Sequence, residues 1–199
     1  MQKAQDDYFF IAWDRVVNSW SGDLPTVGAA RPCSCVRCGV VSQPIGEPLR
    51  VHGHGVRVRQ VWGVIDGERM PELHEVTLRR YRCVWCKAIM VVGPKGLVSG
   101  YRYSLASIVA ALWMWSLGKQ TAAKVRDRLS PLQTRGFAGA TRWGSLARWA
   151  RKLPWLSESL AVLGSARQMA ERGVQIALSG LAQMPSTLAG VVAAAARLG

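Results

Sequence analysis

Cys35-Val36-Arg37-Cys38 and Cys83-Val84-Trp85-Cys86 decide how this 199-residue chain is read. Each is a Cys-x-x-Cys pair, and 44 residues lie between them. Two such pairs supply four thiolates to one tetrahedral Zn²⁺. The two residues inside each pair let the chain turn back, so both sulfurs face one point. Gly39, directly after the first pair, suits the tight backbone of a knuckle. The expected cofactor is therefore one Zn²⁺ held by Cys35, Cys38, Cys83 and Cys86. Four thiolates leave no position for a reacting water, so the metal is expected to be structural rather than catalytic.

Cys33 is a fifth thiol competing for four places. The x-x spacing favours Cys35 and Cys38 over it. Cys33 with His52 and His54 offers an alternative second metal set. A polar loop is the plainer reading of His52-Gly53-His54-Gly55.

Around the cysteines the pattern is that of strands. Val56-Arg57-Val58-Arg59 alternates apolar and basic, as a half-buried strand does. Asp66-Gly67 is a hairpin signal. Residues 74–82 read as a second strand with Val76 and Leu78 on one face. Residues 88–92 read as a third, ended by Gly93-Pro94. Knuckle, strands, knuckle, strand is the order of a zinc ribbon, expected over residues 33–95. Arg57, Arg59, Arg79, Arg80 and Arg82 decorate these strands, as phosphate contacts or as solvated edge charges.

Charge is the second organising fact. The chain carries a net +14 with a pI near 10.5. An anionic partner is implied, most simply nucleic acid. The charge is concentrated. Residues 101–155 hold ten lysines and arginines against one acid, Asp127. Residues 1–30 are net acidic, and residues 156–199 are nearly balanced.

That basic region reads as helical. Ser104 caps an expected helix over 105–117, apolar nearly all round and so a core helix, with Gly118 at its end. Thr121 caps a second over 122–129, with Val125 and Leu129 inward and Lys124, Arg126 and Arg128 outward. A third runs over 145–153 and stops at Pro154. Its Leu146, Trp149, Ala150 and Leu153 form a buried stripe; Arg148, Arg151 and Lys152 form a basic one. A buried helix and two short helices, the last basic, fit a helix-turn-helix domain over 100–154. A bundle with a solvated basic face is the alternative.

The ends are expected to be helical too. Residues 1–30 form an N-terminal segment whose Phe9, Trp13, Val16, Val17 and Trp20 fall at helical spacing over 6–20. Residues 155–199 form an Ala-rich tail, with one helix over 158–172 and two short ones hinged near Pro185. The uncharged run 174–196 raises a membrane span, but Gln175, Ser179, Gln183, Pro185, Ser186 and Thr187 argue against it. Both ends offer surfaces to other proteins, and the tail offers a homodimer. Asp6, Asp7, Asp14 and Arg15 argue against a secretory signal and paired cysteines suit a reducing compartment, so a cytoplasmic protein is expected. The expected fold class is α+β: a small β-rich zinc ribbon, a mostly α-helical helix-turn-helix domain, then a helical tail.

The run Tyr81-Arg82-Cys83-Val84-Trp85-Cys86, then Arg102-Tyr103-Ser104-Leu105, then Arg148-Trp149 in a basic helix, resembles the zinc-ribbon plus helix-turn-helix region of bacterial transposase-like proteins. The resemblance covers roughly residues 33–153 and implies a ribbon ahead of a homeodomain-like DNA-binding unit. It implies zinc at Cys35, Cys38, Cys83 and Cys86. It places double-stranded DNA against Arg148, Arg151 and Lys152; Arg142, Lys124, Arg126 and Arg128 are expected as further basic DNA contacts from their charge alone. The chain departs from the family in its acids. An acidic-triad transposase needs three carboxylates for two divalent metals. After residue 100 this chain has only Asp127, Glu158 and Glu171. The expectation is a non-catalytic DNA-binding protein, an accessory or regulatory factor of a mobile element. A protein-interaction subunit of a nucleoprotein complex and an RNA-binding zinc ribbon are the alternatives.

Overall fold

The computed structural model describes residues 8–16, 24–62, 73–129, 143–152, 165–179 and 191. It is a mixed α+β chain with a four-stranded sheet and four helices among those residues. The strands are β1 (Tyr8–Val16), β2 (Val51–Trp62), β3 (Leu73–Cys83) and β4 (Ile89–Lys95). The helices are α1 (Leu105–Ser116), α2 (Ala122–Leu129), α3 (Ser145–Lys152) and α4 (Ala166–Leu178). The chain divides into two compact units. One comprises Met1–Val61 and Glu75–Gly100, the other Trp62–His74 and Tyr101–Gly199.

The sheet order is β1-β4-β3-β2. β4 runs antiparallel to β3 and parallel to β1. Flanked on both sides, β4 is buried from Met90 to Pro94. Val76, Leu78 and Tyr81 of β3 pack with Met90 and Val92 into one core, which also takes in Cys35 and Cys83.

Two expectations are corrected here. Residues 8–16 are a strand, not part of an amphipathic helix. Tyr8-Phe9-Phe10-Ile11 pairs in register with Ile89-Met90-Val91-Val92. A short aromatic and β-branched run fits either period, and the waiting edge of β4 decides for strand. Gly93-Pro94 also fails to end β4, which continues to Lys95. Gly93 instead makes room in the sheet: a Cβ there would stand 2.7 Å from Leu78 Cδ2 and 3.0 Å from Phe10 Cε2. Glycine inside a strand marks such a close approach. The expected turn at Asp66-Gly67 lies outside the described residues.

In the helical unit, Ser104 caps α1 as expected, its Oγ accepting from Ser107 N. Nine of the twelve α1 residues are buried, and α1 packs against α2, α3 and α4. Leu117 continues the helical backbone as its C-cap, and Gly118 follows. Thr121 Oγ1 accepts from Lys124 N and starts α2. Leu146, Trp149 and Ala150 of α3 are buried. Trp149 meets Tyr103 and Trp143 edge-on, with centroids 5.1 and 5.2 Å away.

The tail helix is displaced from its expected place. α4 begins at Ala166 and continues past Val174, where a break was expected. Ser165 and Gln168 set its start by a capping box. Ala170, Val174 and Leu178 are buried, and α4 packs on α1 and α3. Arg167 fastens it: Nε donates to Trp115 O at 2.9 Å and Nη2 to Gln120 O at 2.8 Å. Those carbonyls belong to the exit of α1, which lacks internal donors there. The expected hinge at Pro185 lies outside the described residues. No helix among the described residues is long and apolar enough to cross a membrane.

Candidate metal centre

Cys35, Cys38, Cys83 and Cys86 converge, all four sulfurs lying within 4.8 Å of one another. Cys35 Sγ is 3.5 Å from Cys86 Sγ, and Cys38 Sγ is 3.8 Å from Cys83 Sγ. Sulfurs about 2.3 Å from one tetrahedral ion stand about 3.8 Å apart. The cluster therefore has the size and donor set of a single four-coordinate metal site.

The two pairs are built alike. Gly39 N donates to Cys35 O at 2.8 Å, and Lys87 N donates to Cys83 O at 3.1 Å. Cys35 N donates to Val40 O, and Cys83 N to Ala88 O. The residue after each second cysteine takes a left-handed backbone, with φ 72° at Gly39 and 60° at Lys87. That conformation turns the chain back so that both sulfurs of a pair face the same point. The pairs are also tied to a shared segment. Arg50 N donates to Ser42 O, and Arg50 O accepts from Val84 N.

The thiols are electrostatically unequal. Burial raises the Cys35 thiol, but amide hydrogen bonds from Cys38 and Arg37 outweigh it and bring it to about 7. Burial pushes Cys86 up to about 12, with the neighbouring thiols adding to the rise. Four thiolates this close repel one another, and a divalent cation relieves that repulsion.

Cys33 is exposed and outside the cluster. Among the described residues the four cysteines are the one group of metal-ligating side chains gathered for an ion, and His52 and His54 join none. Those histidines lie inside β2 rather than in a loop. His52 Nε2 donates to Leu49 O at 2.8 Å.

The basic residues are placed unevenly. Arg148 and Arg151 are exposed on α3, away from its buried stripe, and Lys124 and Arg128 are exposed on α2. Arg126 departs from its expected outward position. It is only 7% exposed, with Nε and Nη2 both donating to Asp127 Oδ1. On an eight-residue helix, position 126 follows Val125 into the packed side, and its long stem buries well. Arg142 and the side chain of Lys152 lie outside the described residues, as does Glu158. Glu171 pairs with Lys119 at 3.6 Å.

Sequence reasoning missed one feature of the second knuckle. Trp85 is 66% exposed, and the Arg50 guanidinium sits 5.2 Å from its ring centroid. An x position inside a Cys-x-x-Cys pair whose sulfurs converge points outward, which is the signal that could have found it.

No protein-family model, curated protein or solved structure matches the chain.

Proposed function

We propose that this chain is a zinc-stabilised, non-catalytic DNA-binding protein, an accessory or regulatory factor of a mobile element. The observation that carries the reading is the two-sided character of α3. Leu146, Trp149 and Ala150 are buried while Arg148 and Arg151 are exposed. A short helix anchored on one side and basic on the other is what a recognition helix requires. The net charge of +14 supplies the attraction to phosphate. The soft four-thiolate set suits Zn²⁺, and the knuckles with β2 to β4 read as a zinc ribbon. On this reading α1 to α3 are the helix-turn-helix.

Arg148 reads base edges by a bidentate contact to guanine, and Arg151, Lys124 and Arg128 hold phosphates. Lys152 and Arg142 stay with the phosphate set. Arg126 is withdrawn from it, because its guanidinium is committed to Asp127. The mobile-element assignment rests on the resemblance of residues 33–153 alone. Exposed Trp85 favours one second reading, the RNA-binding ribbon, because an open indole stacks on unpaired bases.

Binding isotherms on duplex DNA, single-stranded DNA and RNA at several salt concentrations test the proposal. A duplex preference with a steep salt slope is expected. Arg148→Ala should cost about 1–3 kcal/mol on the preferred site and flatten discrimination between sites. Unchanged duplex binding and site preference in a folded Arg148→Ala protein would sink the helix-turn-helix reading. Incubation of supercoiled DNA with the protein and Mg²⁺ should give no nicking. Nicking lost on changing Asp127, Glu158 or Glu171 would overturn the non-catalytic reading.

A further inference from the structure

We propose that a cleft beside β2 and β3 is a binding site for a phosphoryl group. The cleft measures about 280 Å³, and Arg31, Arg79, Arg80 and His52 line it with Val27 and Leu49. Its remaining lining is Gly53 and Gly55, so among the described residues no carboxylate lines it. Arg31 and Arg79, with Arg80 beside them, make the lining of one small space basic, and an anion is favoured where like charges gather. Arginine forks match the oxygens of phosphate and carboxylate bidentately, and a phosphate has oxygens and charge enough to meet more than one arginine.

The basic groups are held in place rather than loose. Arg79 Nε donates to Pro25 O at 2.8 Å, and Arg31 Nη1 donates to Gln43 Oε1 at 3.1 Å. Tyr81 Oη donates to Val27 O at 2.8 Å and fixes the turn beneath the cleft. Both arginines act on that phenol: burial raises it, and the fields of Arg79 and Arg31 pull it down. The backbone of β2 makes the space. A Cβ at Gly53 would stand 2.7 Å from Val27 Cγ1, and Gly55 takes φ 82°, a conformation other residues resist.

One atom points to a missing acceptor. Arg31 Nε is buried, and no described residue accepts a hydrogen bond from it. A buried donor of this kind is rare without a ligand or water to receive it. A phosphoryl oxygen in the cleft would accept from it after a small shift of the Arg31 side chain, since the atom itself has no exposed surface. The cleft lies wholly in the cysteine-bearing unit, so the inference does not depend on the DNA reading of α3.

The phosphoryl group has two sources, a nucleic-acid backbone or a small phosphorylated molecule, and the test separates them. Inorganic phosphate is titrated into the full metal-loaded chain at constant ionic strength, with chloride as control. Phosphorus NMR line width and calorimetry are the readouts. Saturable binding is expected, weakened about tenfold in Arg31→Gln. Metal content and circular dichroism check the fold of that variant, and Arg79→Gln is measured beside it. Parallel titrations use a single-stranded oligonucleotide. Loss of both phosphate and oligonucleotide affinity supports the site with a backbone phosphate as ligand. Loss of phosphate affinity alone supports it with a small phosphorylated molecule. Phosphate binding no stronger than chloride, or unchanged in both folded variants, overturns the proposal.

Discussion

Gly39 and Lys87 occupy equivalent positions, each following the second cysteine of its pair and each left-handed, at φ 72° and 60°. One position carries the residue that tolerates this backbone freely, the other a lysine that does not. Lys87 Nζ donates to Val84 O at 2.5 Å, a local contact that offsets part of the strain.

Substitution at the two positions should therefore be unequal. Gly39→Ala is expected to lower the stability of the metal-loaded protein by about 1–2 kcal/mol, the usual cost of a Cβ in this region. Lys87→Gly should change it by less than about 0.5 kcal/mol, since relieved strain and added chain entropy oppose each other. Thermal denaturation of both variants checks this. Equal losses would show that the knuckles are not equivalent.

Metal removal should act on the cysteine-bearing unit. Cys83→Ser is expected to lose stoichiometric zinc and the fold of that unit, because Cys83 belongs both to the cysteine cluster and to the core. Cys33→Ser should do neither. Elemental analysis and near-ultraviolet dichroism read the outcome, and a Cys83→Ser protein that keeps one zinc per chain refutes the ligand set.

Acid should weaken the metal in a defined way. Cys35 would bind a metal as a thiolate, and its thiol is lowered from 9.0 to about 7. Above about 7 it enters the site already charged. Below that pH a proton competes for it, so each binding event displaces one more proton. Affinity measured against a chromophoric chelator should fall more steeply with pH below about 7 than above it. A uniform slope across that range would contradict the assignment.

In the helical unit, Arg126 and Arg148 should separate stability from binding. Arg126→Ala is expected to cost about 1–3 kcal/mol of stability through lost packing and its charged hydrogen bonds. Arg148→Ala should leave the fold intact. Trp149→Ala should cost about 3–5 kcal/mol, since it empties the centre of the aromatic group with Tyr103 and Trp143. Denaturant melts of the three proteins decide the order.

Arg167→Ala should free the exit of α1 and cost about 1.5–3 kcal/mol. Arg167→Lys should not restore it, because one ammonium cannot serve Trp115 O and Gln120 O in the same planar fashion. Hydrogen exchange at residues 113–118 would report the fraying, and full rescue by lysine would argue against it.

The cysteine pairs, the caps at Ser104 and Thr121 and the buried stripe of α3 were legible because each is a local pattern with one physical meaning. The strand at Tyr8–Val16 was not, because its aromatic run fits two periods and its partner lies far along the chain. The inward turn of Arg126 was hidden for a related reason: a basic residue is read as solvated until a packing partner is known. The cleft joins Arg31, His52 and Arg79 from separate segments, so no window of sequence contains it.

The parallel pairing of Tyr8 with Ile89 sets an order of events during synthesis. The two residues are 81 positions apart. At about 5–20 residues per second, β1 waits roughly 4–16 s on the ribosome before β4 exists. Until then Phe9, Phe10 and Ile11 lack the β4 edge they join, and Cys35 and Cys38, once made, have only half of the cysteine cluster. Both halves are completed by the same short stretch, since Cys83, Cys86 and β4 emerge almost together. The contacts of β1 and of the cysteine cluster are thus completed late, and slower translation before residue 83 would lengthen the time they stay unmade.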